Sequence, residues 1–244
     1  MAAPNISTHA IVLRHVNYRD NDRMLTLFSP ALGRIDALAR GCRKTRSALS
    51  GATELFCAGE YQLYRKGERC TVTGCAIRES YYPLREDYGR LVHGAYLLEL
   101  CEAMVQPGEE HPALFAHLLD ALARLAYGAD GPAALTAAAL LRFAEVQGYR
   151  PSLDRCARCG AALDAEAPAG FDAQAGGALC AACFAGVPRV GKDTLRFLRA
   201  AQRLPGEEKL PGAPAGAAEE ALRLMRAYME GRVERAIKAG NFLP

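Results

Sequence analysis

The sequence predicts an α+β protein: an N-terminal five-stranded barrel, then an all-helical unit with an inserted four-cysteine zinc element. Three observations lead there. Short β-rich segments punctuated by turn residues fill roughly the first eighty positions, and the apolar spacing becomes helical from Tyr88. Two close pairs, Cys156-x2-Cys159 and Cys180-x2-Cys183, then enclose a stretch of twenty residues. The barrel is expected over 1–82, the helical unit over 83–244 and the zinc element over 150–186.

Thr8 to Val16 reads as the first strand, and Met24 to Phe28 as the second, after the turn-forming run Tyr18 to Asp22. Ser29-Pro30 and Gly33 bracket a connection into the third, Arg34 to Ala39. Glu54 to Tyr64 and Arg69 to Ile77 pair across Lys66-Gly67-Glu68, a plausible hairpin turn. Leu55, Cys57, Tyr61 and Leu63 share one parity, which Gly59 interrupts; Gly59 and Gly74 are expected at bends or bulges. Five short strands in this length make the oligonucleotide-binding (OB-fold) barrel the economical choice, although an SH3-like barrel has nearly the same signature.

Leu91, Ala95 and Leu98 form one helical stripe, Leu114, Leu118, Leu122 and Leu125 another, and the alanine-rich stretch Pro132 to Gly148 a third. Pro107-Gly108 and Gly128 to Gly131 punctuate them, with Pro132 suited to a first helical turn and Gly148 to a stop. Two more helices follow, Gly191 to Leu204 and Ala217 to Glu230, joined by a flexible connection from Pro205 to Gly216. Leu222, Met225 and Met229 read as core filler on the last helix. The basic tail, Arg232 to Pro244, ends in the apolar pair Phe242-Leu243.

Each cysteine pair can present two thiolates at one turn, and Gly160 suits that turn. Four thiolates complete a tetrahedron whose natural occupant is zinc, one ion per chain. With no position left for water, the metal is structural. A disulfide-bonded hairpin is the alternative, and it requires an oxidising compartment. The odd count of nine cysteines with zinc-like spacing fits a reducing cytoplasm. The loop interior, Asp164 to Ala178, is rich in Ala and Gly, with Phe171 as its one large anchor and the metal as its expected source of order. Cys42, Cys57, Cys70, Cys75 and Cys101 lie in apolar contexts and read as core or boundary residues.

Half of the 244 residues are apolar, which marks a folded chain, and neither a membrane-length apolar run nor a signal peptide is present. Net charge is only +3, but residues 1–78 carry twelve Lys/Arg against six Asp/Glu, while the remainder carries eighteen against twenty-one. A basic N-terminal unit points to a polyanionic partner. Its densest part is the loop after the third strand, where Arg40, Arg43, Lys44 and Arg46 are interleaved with Gly41, Thr45 and then Ser47. Arg65, Lys66 and Arg69 form a second cluster at the hairpin tip. Phosphate contacts of this kind give affinity and salt dependence with little sequence selectivity. The bland reading is a solvated loop. Phe56, Tyr61 and Tyr64 can stack bases where they face outward, and are core residues otherwise.

The sequence contains no nucleotide-binding glycine loop, HExxH motif, serine elbow or nearby carboxylate pair. His9 and His15 fall in the first strand, His93 inside a helix, and His111 and His117 at and within the next one. All five read as surface or structural residues, so an enzyme is disfavoured.

Several segments together resemble the bacterial RecO family of DNA repair and recombination mediators, over nearly the whole chain. They are Ala10-Ile11-Val12-Leu13, the run Tyr18 to Ser29, Gly33-Arg34 and Leu38-Ala39-Arg40-Gly41 with Arg43-Lys44. Leu55-Phe56, Tyr61 to Arg65 and Glu79-Ser80-Tyr81 continue the likeness, and the cysteine quartet resembles a zinc element that many members carry. The resemblance implies an OB barrel, a helical region and a zinc-bound segment. It implies binding of single- and double-stranded DNA, annealing of complementary strands, and no catalysis. It also implies partnership with RecR and the single-strand-binding protein, with the helices of 88–148 as host for the latter, and indirect action on the recombinase RecA. The family often ends in a Ser-Arg-x-Phe-Leu-like run; here the tail reads Lys238-Ala239-Gly240-Asn241-Phe242-Leu243, without that serine and extra positive charge. Cytoplasmic, nucleoid-associated placement follows from the resemblance. The competing readings are a zinc-containing adaptor that binds only protein, and a hydrolase that would need a second ion.

Overall fold

The computed structural model describes residues 4–164, 167–204, 209–233 and 235–243. Five strands, β1 (Asn5–Tyr18), β2 (Asp22–Ser29), β3 (Gly33–Ala39), β4 (Ala58–Lys66) and β5 (Arg69–Glu79), close into a barrel in the order β1-β2-β3-β5-β4. β3 and β5 run parallel, with Ala37 opposite Cys70 and Ala39 opposite Val72, and the other neighbours are antiparallel. This is the expected OB-type barrel. Val12, Leu25, Leu27, Ile35, Tyr61, Leu63 and Val72 fill its interior. The buried Tyr61 hydroxyl donates to the Ala52 carbonyl at 2.7 Å.

Both flagged glycines mark bulges. The β4–β5 register shifts beside Gly59, where a Cβ would lie 2.5 Å from the Ala76 carbonyl oxygen, and again next to Gly74. β4 starts later than expected, at Ala58 instead of Glu54. A helical turn, Gly51–Thr53, and a left-handed Phe56 (φ 68°) hold the intervening residues off the ladder. The Cys57 amide closes that turn onto Glu54.

Among the described residues five α-helices follow: α1 (Tyr88–Met104), α2 (Pro112–Tyr127), α3 (Pro132–Val146), α4 (Lys192–Arg203) and α5 (Ala215–Glu230). α1 is central, packed by β1, α2, α3 and the tail, so it is buried almost all round. The expected stripe is therefore only part of its buried surface, with Leu91 and Ala95 half-buried while Tyr96, Leu97 and Cys101 are fully covered. Leu114, Leu118, Leu122 and Leu125 of α2 face the core as the spacing predicts. Pro132 opens α3 and Gly148 follows it in the left-handed region (φ 78°). Residues 205–208 of the expected connection lie outside the described residues.

The barrel shares its core with the helices. Ile11, Leu13, Phe28, Phe56 and Ala58 belong to the same cluster as the helical leucines, and Phe28 meets Phe115 edge-on at 5.3 Å. A backbone weld runs beside them. The Arg34 amide donates to Gln106 (3.2 Å), the Gly108 amide to Leu32 (2.9 Å) and the His111 amide to Pro30 (2.9 Å). Gly33 allows this approach, since it has φ 63° and a Cβ there would sit 2.0 Å from the Gln106 carbonyl oxygen. Glu102 of α1, only 4 % exposed, accepts from Arg14 of β1 (3.1 Å) and Arg235 of the tail (2.9 Å). Burial pushes the Glu102 carboxyl up, but Arg235 and Arg14 outweigh it and hold the group below its ordinary value.

His93 is buried on α1, bonded through Nδ1 to Thr136 Oγ1 at 2.8 Å. Burial and the nearby Arg226 push its pKa down to about 4. An unfolded chain takes up this proton near pH 6.5 and the folded one only near 4, so stability is lost as pH falls between them. The loss attributable to His93 is about 3 kcal/mol by order of magnitude. His93→Gln is expected to flatten the pH dependence of the urea midpoint across that window. Gly33→Ala is expected to destabilise by at least ~2 kcal/mol at neutral pH, from left-handed strain plus the backbone clash, read as a lower urea midpoint.

Candidate nucleic-acid interface and metal centre

The loop after β3 is pinned to the β1–β2 turn. The Gly41 amide donates to Asp22 Oδ1 (2.7 Å) and the Arg43 amide to the Asn21 carbonyl (3.0 Å), while Cys42 is buried beneath. Gly41 and Arg46 take left-handed conformations (both φ 63°), which folds the loop back on itself. Arg40, Arg43, Lys44 and Arg46 are all exposed. Arg43 donates to the Asp20 carbonyl at 3.1 Å. The side chains of Arg40, Lys44 and Arg46 have no hydrogen-bond or ion-pair partner among the described residues. Arg19, missed in the sequence, joins this group, because pairing of Tyr18 with Asp22 and of Arg23 with Ala39 brings the turn beside the loop. Its guanidinium lies 5.1 Å from the Tyr18 ring centroid.

The hairpin-tip cluster is elsewhere. Arg65, Lys66 and Arg69 are exposed around the left-handed Gly67; burial pushes the Cys70 thiol up, and the neighbouring Arg65 charge offsets part of that rise. Because Ala37 faces Cys70, Arg69 lies level with Asp36, and the loop starts four residues further along β3, ~13 Å away at strand rise. The seven cations thus form two groups. Of the three candidate stacking residues, Phe56 and Tyr61 are 0 % exposed and belong to the core, while Tyr64 is 42 % exposed. Alternation in β4 turns Tyr61 and Leu63 inward and Tyr64 outward.

The four Sγ atoms of Cys156, Cys159, Cys180 and Cys183 lie within 4.8 Å of one another, with Cys159 and Cys180 at 3.7 Å. A regular tetrahedron of zinc–thiolate bonds has sulfur separations of about 3.8 Å. In the first knuckle the Gly160 amide (φ 75°) returns to the Cys156 carbonyl, and in the second the Cys183 and Phe184 amides return to Cys180. Burial would push the Cys156 thiol up, but backbone N–H groups of Cys180, Cys159 and Arg158 favour the thiolate and bring it down to about 6. The Cys180 and Cys159 thiols push Cys183 up to about 12, a crowding that a divalent cation offsets. Four soft donors that converge on one point can chelate a metal.

The segment between the knuckles is more ordered than its composition suggests. β6 (Ala169–Asp172), β7 (Gly177–Leu179) and β8 (Arg189–Val190) form a small sheet. Its small residues are required by close packing: a Cβ on Gly170 would meet Phe184 Cβ at 2.6 Å. Arg158 donates to the Cys183 carbonyl and to Asp172 Oδ2, both at 2.8 Å, tying both knuckles to the hairpin. Phe171 is the anchor expected, edge-on to Tyr228 of α5 at 5.9 Å. Among the described residues, no helix is long and apolar enough to cross a membrane.

An OB-type barrel welded to a helical bundle that carries a four-cysteine chelating element defines the class of this protein. Comparison with known proteins gives the family. The description "Recombination protein O N terminal" matches residues 1–81 and "Recombination protein O C terminal" matches 85–240. A DNA repair protein RecO of Anaeromyxobacter sp. (strain K) is 37% identical over 242 residues, 96% of this chain and 93% of its own length. That of Pelotomaculum thermopropionicum is 37% identical over 238 residues, covering 96% and 91%. The one from Geobacter sulfurreducens is 34% identical over 195 residues, 79% of each chain. The chain belongs to the RecO family.

Cys156→Ser and Cys180→Ser are each expected to abolish stoichiometric metal uptake, measured by cobalt(II) titration of metal-stripped protein. Each is also expected to lower stability by several kcal/mol and to raise hydrogen exchange across 150–186.

Proposed function

We propose that this chain is a DNA-binding recombination mediator without a bond-making step. The barrel, 1–82, holds single- or double-stranded DNA through Arg40, Arg43, Lys44 and Arg46, with Arg65, Lys66 and Arg69 as a second group. The helical unit, 83–244, is braced by one structural zinc on the four cysteines and offers surface for protein partners. Family membership supports partnership with RecR and the single-strand-binding protein, annealing of complementary strands, help in loading RecA, and a place in the bacterial cytoplasm near the nucleoid.

The observation that carries the DNA reading is the pinned loop, with Arg40, Lys44 and Arg46 outside the barrel and without a side-chain partner among the described residues. Holding such charges together costs self-repulsion, which phosphates relieve. Annealing then needs only neutralisation of two phosphate backbones and a surface open enough for bases to pair.

The test is an oligonucleotide titration at two salt concentrations, with annealing assayed in the same samples. Combined Arg40→Ala, Arg43→Ala, Lys44→Ala and Arg46→Ala is expected to weaken binding and to flatten the log–log salt slope by about 0.9 per lost duplex phosphate contact. Unchanged affinity and slope would remove the loop from the site. Wild-type protein that binds protein partners but no DNA would favour the adaptor reading.

A further inference from the structure

A second basic surface lies where the barrel meets the helices. A cavity of about 340 Å³ opens there, lined by Arg34 of β3, Gln106, Gln147, Tyr149, Arg232 and Arg235 among others. Among the described lining residues Glu102 is the one carboxylate, and it is already matched by Arg14 and Arg235. Arg34 and Arg232 have no carboxylate partner among the described residues. Arg34 Nε is buried with no partner, and the Gln106 and Gln147 side chains make no hydrogen bond among the described residues.

Arg232 is held rigidly. Its guanidinium lies 3.5 Å from the Tyr228 ring centroid and 5.7 Å from that of Tyr149, and it donates to the Tyr228 and Ala173 carbonyls. Tyr149 is 50 % exposed. A planar cation, an open aromatic ring and two unspent amides suit a nucleotide: phosphate on guanidinium, base on ring, base edge on amide. An acidic peptide would use only the first.

Arg34 also lines the adjoining groove of about 500 Å³, together with Arg65 and the carboxylates of Asp36 and Glu68. The hairpin-tip cations thus lead through Arg34 into the cleft. The loop of Arg40 to Arg46 lies at the far end of β3, six residues or ~20 Å from Arg34. We propose that the track from Arg65 over Arg34 to Arg232 and Tyr149 is a second single-strand nucleic-acid site, so that one chain holds two strands during annealing. The proposal rests on the DNA-binding reading above and adds a site to it.

The test uses the full chain with Arg34→Gln plus Gln147→Glu, and separately Tyr149→Ala, each checked for a wild-type unfolding midpoint. Probes are a fluorescent thirty-nucleotide single strand, its complement, and fluorescent poly-glutamate. The expected result is first-strand affinity within about twofold of wild type, annealing slowed at least tenfold, and binding of a second, non-complementary strand lost. Wild-type annealing in both variants would overturn the second site. So would loss of first-strand binding as severe as the loss of annealing, which would mean a single continuous site. Poly-glutamate that binds the cleft without competition from the oligonucleotide would assign the surface to an acidic protein segment. Failure of the wild-type chain to bind any oligonucleotide would instead sink the DNA reading itself, and this site with it.

Discussion

The close backbone approach between Gly33 of the barrel and the α1–α2 connection at Gln106 constrains much of the remaining geometry. A side chain there has no room, because the Gln106 carbonyl oxygen occupies the place of its Cβ. Bringing the backbones together lets Arg34, Gly108 and His111 amides bond across the seam, and Phe28 reach Phe115. Strands β1 and β2 are consequently covered on both faces. That explains why Ala10–Leu13 and Leu25–Phe28 are continuous buried runs instead of alternating ones. It also explains why a glutamate at the seam is tolerated: Glu102 is buried but has a guanidinium from each side.

What the sequence could convey follows from how local each signal is. The five strands were legible because turn residues such as Gly67 and the Ser29-Pro30 pair act within a few positions of themselves. The α2 stripe was legible because only one face of that helix is buried. α1 was less so, since packing from several sides blurs its period. The delayed start of β4 turned on a left-handed phenylalanine, a conformation that composition does not signal. Separation of the two basic clusters was hidden for a deeper reason. It depends on the parallel pairing of β3 with β5, a contact between residues more than thirty positions apart. The cleft of Arg34, Tyr149 and Arg232 is likewise assembled from three distant segments, of which only the tail beginning at Arg232 is legible as basic in the sequence.

The chelating element reaches further than its own knuckles. Beyond Phe171 and Leu179 its hairpin buries only Ala and Gly, so local burial alone would leave it weakly held. Thiolate–metal bonds are the natural substitute for a core of that size. The hairpin's next residues matter too, because the Ala173 carbonyl is one of the two acceptors that fix Arg232. A metal held by the four cysteines would thereby bear on a side chain at the seam as well as on its own loop.

Rigidity at the seam has an electrostatic consequence for the proposed two-strand arrangement. The Debye length is about 10 Å near 0.1 M salt, so charges ~20 Å apart along β3 are well screened from one another. Two phosphate backbones held at such a spacing would repel only weakly, while each still meets its own cations within contact range. β3 itself fixes the spacing from Arg34 to the loop, but a hinged barrel would let the distance from the loop to Tyr149 and Arg232 on the helical side collapse or open. The weld keeps that second distance constant, and the strands then need only local fluctuation of their free segments to find complementary bases between the two tracks.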